Sequence, residues 1–173
     1  LDGILTISGG TLTAPNGTID ANSDIIISSG TLTAPAGNFN VAGGWAHTNG
    51  TFTHSNGTVT FDTSSTPVIE NSTDETFYNL IISKSGGSLG LLSGVIVAND
   101  FTQTAGTFDT TDVGMTVSGN LALQSGTLTA NSSSLAVSGN LTISGGTLSA
   151  PNPAEALSIG GSYNNSGGTF THN

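Results

Sequence analysis

Residues 8–15 read SGGTLTAP, and the chain writes nearly the same phrase again at 28–35 (SSGTLTAP), 124–130 (QSGTLTA) and 144–151 (SGGTLSAP). A phrase repeated in this way says that one local packing problem recurs, so the repeat decides the architecture before anything else. The Thr that opens each T-x-T triplet falls at Thr11, Thr31 and Thr51, then at Thr107, Thr127, Thr147 and Thr169, with a spacing of 20 to 22 residues inside each block. Short apolar pairs, Leu5/Ile7 and Ile25/Ile27, precede the first two triplets, and Ile19, Phe39 and Val59 follow the first three by eight residues. Alternation with a period of two, broken by Gly, Asn and Pro-Asn-Gly turns, marks three short strands per unit.

Strands this short, with no helical pattern between them, cannot build a doubly wound sheet. Coiling lets each turn pair with the next. The fold class expected is therefore all-β: a parallel β-helix (β-solenoid) of about eight coils of 20–22 residues, with three short strands per coil. It is expected to be right-handed, the hand that parallel crossovers strongly prefer. In each triplet the central residue points inward and the flanking Thr point outward. Leu12, Leu32, Phe52, Phe108, Leu128, Leu148 and Phe170 are thus expected to stack in the core, each burial worth roughly 1.5–3 kcal/mol. Gly permits the positive φ of a tight corner. The Asn of the two SGN corners, at 118–120 and 138–140, are expected to hydrogen-bond in a side-chain amide ladder.

The chain reads as one solenoid over 1–173, with regular coils at 1–62, irregular coils at 63–100 and regular coils again at 101–173. The irregular part is expected to hold two distorted coils with a longer loop at 71–75, and Lys84 is expected in a loop. A second period is superposed, since residues 1–55 match 117–173 and 28–54 parallels 144–172. Neither end carries a polar capping unit, so the sequence reads as uncapped at both ends, a fragment of a longer array or filament.

Composition narrows the function. Only 7% of residues are charged, against about 25% in a typical globular domain, the net charge is −10 and Lys84 is the sole basic side chain. Binding to nucleic acid needs Lys and Arg against the phosphates, so no such partner is expected. An anionic membrane surface would repel the chain, and no apolar run reaches the ~20 residues of a spanning helix, so no membrane insertion is expected in this segment. No cysteine is available for a disulfide or thiolate site.

No enzyme activity is expected. A β-helical lyase would want an Arg or Lys base, and the pairs Asp74/Glu75 and Asp109/Asp112 read as solvated loop charges rather than the opposed carboxylates of a hydrolase. His47 falls in the register of Ile7 and Ile27, and His54 falls beside Ala14 and Ala34. With His172 they read as hydrogen-bonded or corner histidines rather than metal ligands. Trp45 takes the inward register of Leu5 and Ile25 and so belongs to the core. No cofactor is expected. Calcium is the one ion such an acidic, oxygen-rich chain could hold, but DANSD at 20–24 lacks the glycine and distal Glu of a calcium loop. The N-x-S/T triplets at Asn16, Asn49, Asn56, Asn71, Asn131 and Asn140 are read as products of composition.

The segment THSNGTVTFDTSSTPVIENSTDETFYNLIISKSGG (53–87), followed by GVIVANDFTQTAGTFDT (94–110), resembles repeats of very large bacterial surface proteins. These share the look of filamentous-haemagglutinin-like and autotransporter-passenger β-helices. The resemblance implies an extracellular or cell-surface location and carries over no catalytic or ligand residue. The expected function is a non-catalytic structural module of a bacterial fibre, stalk or adhesin, its coils stacking end to end on copies of itself or on continuing repeats. The alternative is an ice-binding or glycan-binding solenoid. Its outward face would be Thr11, Thr13, Thr31, Thr33, Thr51, Thr53, Thr127 and Thr129, in ranks ~4.8 Å apart.

Overall fold

The computed structural model describes residues 1–130 and 132–172, and among them there is no helix. Short parallel strands wind through about eight turns and stack into three walls. On the first wall Leu5 pairs with Ile25, Ile25 with Trp45, Trp45 with Ile69 and Ile69 with Leu91. The same wall continues from Leu89 through Phe108, Leu128 and Leu148 to Phe170. The third wall is an unbroken stack of Ile19, Phe39, Val59, Leu80, Phe101, Leu121, Leu141 and Tyr163. These are the inward residues of period-two strands, and away from the end coils they are fully buried.

The second wall is built in two pieces. Leu12, Leu32 and Phe52 form a three-strand ladder that stops at Thr51–Thr53. A separate five-strand ladder then runs through Phe77, Val97, Val117, Val137 and Ile159. The corners between strands explain the break. The longer loop lies at 62–67, not at 71–75: residues 72–74 form a three-residue corner like 48–50. Between the second and third walls, Tyr78 alone now stands where 54–57 stood one coil earlier. Residues 62–67 and 83–87 lengthen the corners from the third wall to the first.

This exchange of corner lengths slides the whole sequence pattern by one wall. Thr31–Thr33 of SSGTLTAP lie on the second wall, but their counterparts at 147–149 lie on the first. Trp45 is on the first wall and its counterpart Tyr163 on the third. The single inward stack expected from the T-x-T triplets is consequently two stacks, one of Leu12, Leu32 and Phe52 and the other of Phe108, Leu128, Leu148 and Phe170.

Lys84 is not in a loop. It sits within the bent strand Asn79–Leu91, is 1% exposed, and donates from Nζ to the carbonyls of Thr63 (3.1 Å) and Ser65 (2.8 Å). The only cation of the chain therefore fastens the longest loop of the irregular middle. Burial pushes its amine below the usual lysine value, opposed by the attraction of Asp62. The Asp62 carboxyl is raised in turn, by burial first and by the charge of Asp20 second.

A corner ladder does form at the asparagines, with a different partner from the one expected. Oδ1 of Asn79, Asp100, Asn120 and Asn140 accepts from the backbone N–H of Asp100 (3.3 Å), Asn120 (2.7 Å), Asn140 (3.0 Å) and Ser162 (2.9 Å) respectively. Each rung thus ties a side chain to the main chain one coil further on. At the corner before the T-x-T strand, Gly106, Gly126 and Gly146 have φ of 79°, 82° and 73°, and a Cβ on Gly126 would collide with the carbonyl of Gly106. Glycine is required there on both counts.

Replacing Asn140 by Ala should lower the unfolding free energy by about 1 kcal/mol, the usual net worth of one such bond. Asn140→Asp should be tolerated, because Asp100 makes the same rung. Urea denaturation of the two variants measures the difference. For Asp62 the raised folded-state pKa means that stability is fullest below the ordinary value of 3.8 and is lost as pH rises through the raised value. Asp62→Asn should therefore gain on the wild type between about pH 3 and neutrality. Equal differences at both pH values would contradict this.

Candidate functional site

The break in the second wall is where the chain concentrates its unusual side chains. Glu75 opens the strand Glu75–Phe77 in the inward register of Val95, Met115 and Leu135. A lone carboxylate at such a position would be costly. Instead its Oε2 accepts from the indole Nε1 of Trp45 at 2.7 Å and lies 2.9 Å from Nδ1 of His47, while its Oε1 accepts from the backbone N–H of Thr76 at 3.1 Å. His47 in turn donates its backbone N–H to Oδ1 of Asn71 at 3.1 Å, and Asn71 donates its own to Oγ of Ser93 at 3.0 Å. Nδ2 of Asn71 is buried without a hydrogen-bond partner.

Aromatic rings close the gap that the ladder leaves. Trp45 meets Phe52 at 4.8 Å, Phe77 at 5.3 Å and Phe39 at 6.0 Å, and Phe77 meets Phe52 at 5.9 Å and Phe61 at 6.3 Å, all edge to face. Such pairs contribute roughly 0.5–1.5 kcal/mol each beyond their buried area. Thr51–Thr53 has a ladder partner only on the side of Ile25–Thr33, so ring packing stands in for the missing hydrogen bonds on its other side.

Trp45 is core, as its register predicts. Glu75 is not the solvated loop charge expected beside Asp74: it is 5% exposed, whereas Asp74 faces solvent. Asp74 ends the corner at 72–74 and Glu75 opens the strand in its inward register, so the two carboxylates do not face each other as a pair. A carboxylate beside an imidazole can relay a proton. Here both are largely enclosed, and the two bonds of Glu75 Oε2, to Trp45 and His47, hold strands from two walls together. The arrangement works as a staple.

The Thr-x-Thr residues do not make one face. Thr11, Thr13, Thr31, Thr33, Thr51 and Thr53 form a rank three coils long on the second wall. Thr127 and Thr129 stand on the first wall, between Thr107/Asp109 and Thr147/Ser149. The one-wall slide separates the two sets. The remaining singled-out residues are engaged one by one. His54 stacks on Tyr78 (5.5 Å) and accepts from the backbone N–H of Asn56 at 3.1 Å, and His172 is exposed in the last coil. Asp24 accepts from the backbone N–H of Gly44 at 2.7 Å. Asp109 accepts from the N–H of Thr111 at 2.7 Å. Among the described residues no three His, Asp or Glu come together as a metal site would require. The triplet at Asn131 begins outside the described residues.

No protein-family model, no curated protein and no solved structure matches the chain.

Glu75→Leu fits the inward register but strands the Trp45 indole and the His47 imidazole. It should cost about 1–3 kcal/mol for each donor left unpaired. Trp45 is the only tryptophan, so its fluorescence reports both unfolding in urea and any local wetting. A Glu75→Leu protein as stable as the wild type, with unchanged emission, would show that the staple contributes nothing.

Proposed function

We propose that the chain is a non-catalytic structural module of an extracellular bacterial fibre or stalk, a rod whose coils stack end to end. The observation that carries this reading is the third-wall ladder, continuous from Ile19 to Tyr163. Its hydrogen bonds run along the rod axis, so every coil-to-coil step is bridged by backbone bonds that bear tension along that axis. The resemblance of 53–110 to bacterial surface repeats points the same way. So does the low charge of the chain, in which only 7% of residues are charged.

The inward registers at the two ends are open: Leu12 is 38% exposed in the first coil and Phe170 37% in the last. Tyr163 and Phe170 repeat, at 5.9 Å, the edge-to-face pair that Trp45 and Phe52 make at 4.8 Å. A further coil would cover that pair as Phe77 covers the earlier one. Strand edges of this kind pair with a continuing coil or with another copy of the chain.

Electron cryo-microscopy of the concentrated chain should show rods lengthened by end-to-end addition, with an axial repeat of ~4.8 Å. Single, discrete particles at every concentration, together with measurable thermal hysteresis, would replace the fibre reading with the ice-binding one.

A further inference from the structure

The loop that Lys84 fastens does more than fill an irregular coil. It overhangs the outer side of the first wall and forms with it a groove of about 410 Å³, within the range of small-ligand sites. Outward positions on this wall run from Thr6 through Ile26 and Ala46 to Glu70. Ile26 and Ala46 give the groove an apolar floor, and Pro67 and Val68 give it an apolar side. Its two carboxylates are Asp24 and Glu70, both exposed.

We infer that this groove is a docking site for a lysine- or arginine-bearing segment of a partner protein. The shape and the charge match that side chain in both of its parts. A four-carbon stem wants apolar surface along its length and a wet, anionic surrounding for its head. Ile26, Ala46, Pro67 and Val68 supply the first, and Asp24 and Glu70 the second. The protein has no competing cation of its own to neutralise them. Its net charge is −10, and its one basic side chain, Lys84, is buried with Nζ directed to the carbonyls of Thr63 and Ser65. A basic partner is the complement the rest of the surface favours as well, because like-charged competitors are repelled on approach.

The groove is also held ready. Lys84 fixes the loop from inside at two carbonyls, and Asp24 is oriented by the Gly44 N–H at 2.7 Å. Gly44 lies between them, where a Cβ would come within 3.2 Å of the Val68 carbonyl and 3.8 Å of Pro67. The glycine leaves that space free between Asp24 and the loop. Binding then orders the incoming side chain alone, which lowers the entropic cost of docking. This site is independent of the rod reading, since it lies on the side of the solenoid and not at its ends.

The test is a titration of the isotope-labelled 173-residue chain with acetyl-Ala-Leu-Lys-Leu-Ala-amide, followed by backbone amide shifts at low salt. A control peptide carries norleucine in place of lysine. The lysine peptide should move the amides of Gly44, Ala46 and Val68 saturably and bind roughly tenfold more tightly than the norleucine peptide, the two carboxylates together accounting for the difference. Glu70→Gln should weaken it roughly three- to fivefold, and added salt should weaken it further. Ala46→Leu fills the floor without changing any charge and should abolish binding while the remaining amide spectrum stays in place. Equal binding of the two peptides would overturn the proposal, as would unchanged binding to either variant. Shifts scattered over the acidic surface without saturation would overturn it equally, leaving only diffuse charge attraction.

Discussion

Every strand in this protein must find hydrogen-bond partners one coil before and one coil after itself, and almost everything else follows from that constraint. A parallel ladder fixes the register of each wall, and the register fixes which side chains point inward. Ile19, Phe39, Val59, Leu80, Phe101, Leu121, Leu141 and Tyr163 can stack without interruption only because eight successive coils keep that register on the third wall. The corners are then the free variables. Residues gained at a corner can loop outward while the walls stay in register, as they do between 149 and 157, where Leu141 still pairs with Tyr163 and Leu148 with Phe170.

The middle of the chain shows what happens when corners do change. Residues 62–67 and 83–87 extend one corner and Tyr78 shortens another, so the sequence motif re-enters the solenoid one wall over. The second wall cannot absorb this change, and its ladder is cut after Thr51–Thr53. The cut would expose apolar edge and unpaired backbone. Three devices offset it: the ring cluster around Trp45, the buried Glu75 carboxylate that ties Trp45 and His47 to the next strand, and Lys84 holding the inserted loop. The protein places both of its deeply buried charged side chains within this one irregular region, where the regular repeat no longer satisfies the chain.

That placement bears on function. In the regular coils the outward positions are mostly Thr, Ser and Asn. The overhanging loop creates the groove on the first wall and, through Glu70 on the strand that follows it, brings one carboxylate beside Asp24 of a regular coil. The groove thus arises where the inserted loop meets the regular coils at 24–26 and 44–46, a loop positioned by a rigid scaffold.

Period-two alternation and the recurrence of SGGTLTAP determine the coil, the inward set of residues within each strand, and the glycine and asparagine corners, because these depend on near neighbours alone. The same pattern places Trp45 in the core. It cannot say which wall a strand occupies, since that depends on the sum of every corner length before it. The two Thr sets look alike in sequence and are separated in space for this reason. Nor can it match Glu75 with an indole thirty residues earlier, or Lys84 with carbonyls in a loop one coil away, because such pairs exist only after the coils have stacked. Stacking alone decides whether a charged residue becomes a solvated loop side chain or a buried staple.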